Sequence, residues 1–147
     1  MIVLALLLAA ATPFQTALSE LSRSKLKEPQ RLHRLFDLAW QYDNAEHPEQ
    51  ATARGVPGYN DRWTDLSLDA IERRKREAVS LRDAVRAIDR KKVDAADQLN
   101  YDLFLLNVEE DIAADRFPRE LFAISQLHGP QYLVSTLEQM PARTARD

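Results

Sequence analysis

Apolar residues recur at three- and four-residue steps along much of this chain, the spacing of one face of an α-helix. Leu32, Leu35, Phe36, Ala39 and Trp40 predict a helix over residues 30–42. Leu68, Ile71, Ala78, Leu81, Val85 and Ile88 predict a longer one over 68–89, with Ser67 as its cap. The charged run Glu72, Arg73, Arg74, Lys75, Arg76 and Glu77 lies mostly off that stripe. After a short connector at 90–93, Asp94 caps a third long helix over 95–115, with Asp97 in a capping-box-like position. So tight a connection predicts an antiparallel hairpin.

The third helix carries more apolar surface than one neighbour needs. Leu99, Leu103 and Leu106 define one side, and Tyr101, Phe104, Leu105, Val108 and Ile112 another. A helix apolar on most sides belongs inside a larger bundle, so further protein is expected to pack here.

Shorter elements fill the rest. Pro48 suits a first helical turn, because its missing N–H costs nothing there. The helix it begins is expected to stop at Gly55. Pro57, Gly58, Asn60 and Asp61 make 56–64 a loop, which Tyr59 and Trp63 are expected to anchor by packing. Residues 12–29, with Ser19, Ser22, Ser24 and Pro29, read as a polar connector and a loosely held arm. Phe117-Pro118 ends the third long helix. Leu121, Phe122 and Ile124 suggest a short buried segment over 120–126, and a last helix is expected over 131–140. With three glycines and few Val/Ile/Thr clusters, the fold class is all-α: a long antiparallel hairpin plus shorter helices, within a larger bundle.

Residues 2–11 form an unbroken apolar run, with no charge before Glu20. The run is shorter than the roughly 20 residues that span a bilayer, so no stable membrane span is expected. It fits the apolar core of a secretory signal, and Ala9-Ala10-Ala11 offers a small-residue cleavage pattern. No Lys or Arg precedes the run, so the start lies upstream or the signal is atypical. The organisation expected is a leader at 1–11, a connector at 12–29 and a helical domain at 30–147, in an exported protein, periplasmic or extracellular.

Charge and chemistry narrow the function. The formal net charge is −3 with both signs intermixed, which lacks the basic stripe that nucleic acid requires. There is no cysteine, so disulfides, thiolate nucleophiles and Cys-ligated zinc are excluded. His33, His47 and His128 lie in separate segments, and none belongs to a His-Glu-x-x-His pair. Glu109, Glu110, Asp111 and Asp115 read as a solvated face rather than a dimetal site. The Arg73–Arg76 run, bracketed by Glu72 and Glu77, reads as helix-surface ion pairs. No Gly-rich phosphate loop and no Gly-x-Ser-x-Gly turn occurs. No catalytic or metal-binding residue is assigned.

One ordered series of motifs carries a resemblance. It begins with His47-Pro48-Glu49-Gln50-Ala51-Thr52-Ala53-Arg54-Gly55 and Tyr59-Asn60-Asp61. Asp65-Leu66-Ser67, Ile88-Asp89-Arg90 and Asp97-Gln98-Leu99-Asn100-Tyr101-Asp102-Leu103 follow. Residues 126–129, Met140-Pro141 and Arg143-Thr144 complete it. From about Leu32 onward the chain resembles the N-terminal part of the bacterial "domain of unknown function 885" proteins, which in turn resemble gluzincin-type zinc metallopeptidases. The resemblance implies zinc and a His-Glu-x-x-His helix in a C-terminal half, and none of those residues is in this chain. It therefore implies a truncated chain, needing no cofactor of its own, whose partners are the missing C-terminal part and a peptide substrate. Its function would be that of a non-catalytic helical fragment of an exported metallopeptidase-like hydrolase, walling the substrate channel. Tyr59, Trp63 and His128 are the expected substrate-facing residues. The alternative is a stand-alone helical binding or scaffold module without enzymatic activity.

Overall fold

The structure, a computed structural model, describes residues 10–118, 121, 124, 129, 131 and 133–140. All regular structure among them is helical. In chain order the helices are α1 (Pro13–Arg23), α2 (Glu28–Glu46), α3 (Pro48–Ala53), α4 (Leu68–Arg86), α5 (Ala95–Ala114) and α6 (Leu133–Gln139). A three-residue 3-10 turn, Arg90–Lys92, joins α4 to α5.

The caps explain why the helices begin and end where they do. Ser67 accepts the Ala70 N–H at the start of α4, and Asp94 accepts the Asp97 N–H at 2.9 Å at the start of α5. The end of α3 is a Schellman turn. The Val56 N–H reaches the Ala51 carbonyl and the Gly55 N–H the Thr52 carbonyl, each at 2.9 Å. That turn holds Gly55 at φ +80°, which a side chain would strain.

Helices α4 and α5 pack as the expected antiparallel hairpin. Asp89 caps the 3-10 turn between them through the Lys91 N–H. Arg90 then grips Asp102 through two bonds of 2.6 Å, and Arg86 reaches Glu109 at 2.6 Å. Helices α1 and α2 complete the core. Leu21, Leu32, Leu35, Val85, Ile88, Val93 and Tyr101 are buried together, with Phe36, Leu81 and Phe104 against them.

The stretch 12–29, expected as a loosely held connector, is instead mostly the helix α1. The reason is local chemistry that its serines obscure. Thr12 and Gln15 form a reciprocal capping box, and Pro13 sets the first turn. Leu18 and Leu21 then bury the inner face, and Phe14 stacks on Tyr42 with ring centroids 4.0 Å apart. Two smaller departures follow the same logic. Helix α2 is longer at both ends than 30–42, and Leu68 at the start of α4 is exposed. Of the leader expected at 1–11, only Ala10 and Ala11 are described. His128 and most of 120–126 lie outside the described residues, but Leu121 and Ile124, expected to be buried, are described and are 75% and 74% exposed, because no described element packs over them.

Candidate functional site

Two features stand out above the core: a buried ionic knot and the groove beside it. The knot centres on Glu77, which is 1% exposed. Its carboxylate accepts hydrogen bonds from the Thr12 hydroxyl, from the Tyr42 phenol at 2.6 Å and from Arg73 at 2.7 Å. Arg73 turns its other nitrogen to Glu46 at 2.6 Å, and Arg74 reaches Glu46 at 3.3 Å. Gln15 adds a bond to Ser80 at 3.1 Å. Burying a carboxylate is costly unless donors replace its water, and Glu77 has them from α2, α4 and the cap of α1.

The same contacts shift the neighbouring acids and bases. Burial, reinforced by the bond to Glu77, pushes the Tyr42 phenol far above its ordinary range. Burial also works against the Glu46 anion, but Arg73 and Arg74 outweigh it and hold that carboxyl below its ordinary range. The bond to Glu46 raises the Arg73 guanidinium further. Arg73 and Arg74, expected as part of a solvated helix surface, thus tie α4 to α2. Lys75 keeps the expected surface pair, with Glu72 at 2.7 Å. Glu77, expected mostly off the buried stripe, is fully inside because three donors converge on it.

The groove runs between α2, α4 and α5 and encloses about 1200 Å³. Its walls are aromatic and aliphatic, including Phe14, Phe36, Trp40, Leu81 and Phe104. Phe36 and Phe104 meet at 4.9 Å between centroids. Charged and polar groups also line it: Asp43, His47, Arg74, Lys75, Asn107, Asp111 and Asp115. An apolar bed with a few polar groups is the usual make-up of a site for a small or extended ligand. Asp111 and Asp115, from the acidic stretch expected to be a solvated face, belong to this lining.

The expected substrate-facing residues are placed as follows. Tyr59 is half-buried in the loop between α3 and α4, with Arg62 stacked 5.0 Å over its ring. Trp63 in the same loop is 46% exposed, so packing is not what holds it. Glu49 does much of that work, accepting the Thr64 N–H at 3.0 Å and the Thr64 hydroxyl at 2.7 Å. Neither Tyr59 nor Trp63 lines the groove, but Leu66, at the end of their loop, does. His128 lies outside the described residues.

The other two histidines stand apart. His33 donates to buried Asp97 at 2.9 Å, and His47 meets Thr64 at 3.3 Å and Asp43 at 3.9 Å. The described residues include no group of three or more His, Asp or Glu placed to hold a metal ion. They do not fit the zinc that the resemblance implies, and no step through it is derived for them. Among the described residues, no helix is long and apolar enough to cross a membrane.

No curated protein and no solved structure matches the chain. A family model does, over residues 48–147, described as "Bacterial protein of unknown function (DUF885)". The span takes in α3 to α6, hence the α4–α5 hairpin and most of the groove's charged lining. The chain belongs to this bacterial DUF885 family.

Proposed function

We propose that this chain is the non-catalytic helical wall of a substrate channel in an exported, metallopeptidase-like hydrolase. The groove between α2, α4 and α5 carries the reading. Its apolar bed suits side chains of a peptide, and Asp43, Arg74, Asn107 and Asp111 offer partners for polar backbone and termini. The rest of the hydrolase covers the outer face of α5, where Leu99, Leu103 and Leu106 are 59%, 51% and 50% exposed. Tyr59 and Trp63 border the channel mouth, in the loop that ends at the groove-lining Leu66, and His128 is assigned the same substrate-facing role. The metal and its general base belong to the further part of the polypeptide.

The test begins with the coding frame beyond Asp147. An open frame that encodes a His-Glu-x-x-His helix is expected. On that longer protein, Trp40→Ala and Trp63→Ala should lower kcat/KM for peptide hydrolysis while the fold stays intact. A stop codon directly after Asp147, with a stable monomeric product, supports the scaffold module instead. Unchanged hydrolysis by folded variants removes the channel wall.

A further inference from the structure

We infer that the Ala11–Thr12 peptide bond is the export processing site, and that the freed amino group of Thr12 becomes a cationic partner of buried Glu77. This rests on the export half of the reading above, not on the channel.

Two independent features meet at this bond. Alanines at 9, 10 and 11 close the apolar run, the small-residue pattern that an export-linked peptidase reads just before its cut. In the structure Ala10 and Ala11 are exposed and outside any helix. Thr12 is extended, at φ −71° and ψ 162°, and among the described residues the first helix begins at Pro13. The bond therefore sits where the described chain is exposed, one residue ahead of helix α1. Hydrolysis adds water across the amide. The C–N bond breaks, Ala11 leaves with a new carboxylate, and the Thr12 nitrogen takes up protons to become an ammonium.

A cut here preserves α1. The Thr12 hydroxyl still caps the Gln15 N–H, and the Thr12 nitrogen remains a donor to the Gln15 side chain. A cut one residue later would remove the cap.

The new charge needs a counter-charge, because an ammonium at a helix N-terminus faces the positive end of the macrodipole. Helix α1 has no acid in its first turn. Glu77 of α4 supplies one. Its carboxylate already accepts the Thr12 hydroxyl, which is three bonds from the Thr12 nitrogen. The other charged or titratable groups around it are Arg73 on α4 and Tyr42 and Glu46 on α2. Arg73 is shared between Glu77 and Glu46, so Glu77 does not have a whole cation to itself.

The test uses the full coding sequence, expressed with export. The N-terminal peptide of the exported protein is identified by mass spectrometry and should begin at Thr12. A retained leader or a cut elsewhere overturns the inference. A second arm compares Glu77→Gln in protein starting at Thr12 and in protein starting at Ala10, where the Thr12 nitrogen is a neutral amide. The substitution should shift the unfolding equilibrium about tenfold more in the Thr12 form, the equivalent of one pKa unit of charge interaction. Equal penalties in both forms overturn the ion pair. A Thr12 start on a protein without peptidase activity upholds this inference and removes only the channel.

Discussion

Glu77 on α4 and Leu103 on α5 sit in each other's expected places: the carboxylate is 1% exposed and the leucine 51%. The two helices are neighbours in one hairpin, so the difference does not come from helix type or position in the fold. It comes from available partners. Glu77 meets an arginine, a phenol and a hydroxyl, which together replace its water. Leu103, with Leu99 and Leu106, lies on a face that no other described element covers. Exposed apolar residues scattered singly are ordinary on a surface, but a stripe at helical spacing marks an interaction face. One end of the bundle is therefore complete in itself, and the face of α5 is open.

The comparison can be broken at the knot first. Glu77→Ala leaves Arg73 and Tyr42 without their acceptor and should cost about 3–5 kcal/mol in a denaturant titration. Leu32→Ala, in the apolar core, opens a cavity and should cost about 2–5 kcal/mol by the same measurement. Tyr42→Phe removes one hydrogen bond to Glu77 and should cost about 1–3 kcal/mol. On the open face, Leu103→Ala should change stability by no more than about 0.5 kcal/mol. A penalty there as large as that of Leu32→Ala would mean that the two regions do not differ.

Acid titration sharpens the same contrast. The Glu46 carboxyl is held below its ordinary value of 4.5 in the folded chain, burial being outweighed by Arg73 and Arg74. A depressed folded value adds stability above the unfolded value, which is lost as pH falls through the folded one. Stability should therefore decline as pH falls below about 4.5, and Glu46→Gln should flatten that decline. Equal slopes in both proteins would show that the knot does not carry the acid sensitivity.

Much of this was legible in the sequence. The periodicity of α2, α4 and α5, the caps at Ser67 and Asp94, the stop at Gly55 and the surplus apolar arc on α5 are local properties. Helix α1 was legible too, because Thr12, Pro13 and Gln15 spell a capped start, but the serines drew attention away from Leu18 and Leu21. The knot was not. Glu77 has Arg73 four residues away and reads as half of a surface pair, while Thr12 and Tyr42, which decide its burial, are distant in sequence. The link between His33 and Asp97 was hidden in the same way. The groove was only half visible: the pattern showed its apolar residues, but not that α2, α4 and α5 leave space between them.

The most direct test of the open face is thiol labelling. The chain has no cysteine, so Leu103→Cys places a single reporter on it. In the 147-residue chain the thiol should label rapidly, and in the product of a frame that continues past Asp147, as proposed, it should be strongly protected. Equal labelling rates in the two proteins would contradict a covering partner on α5.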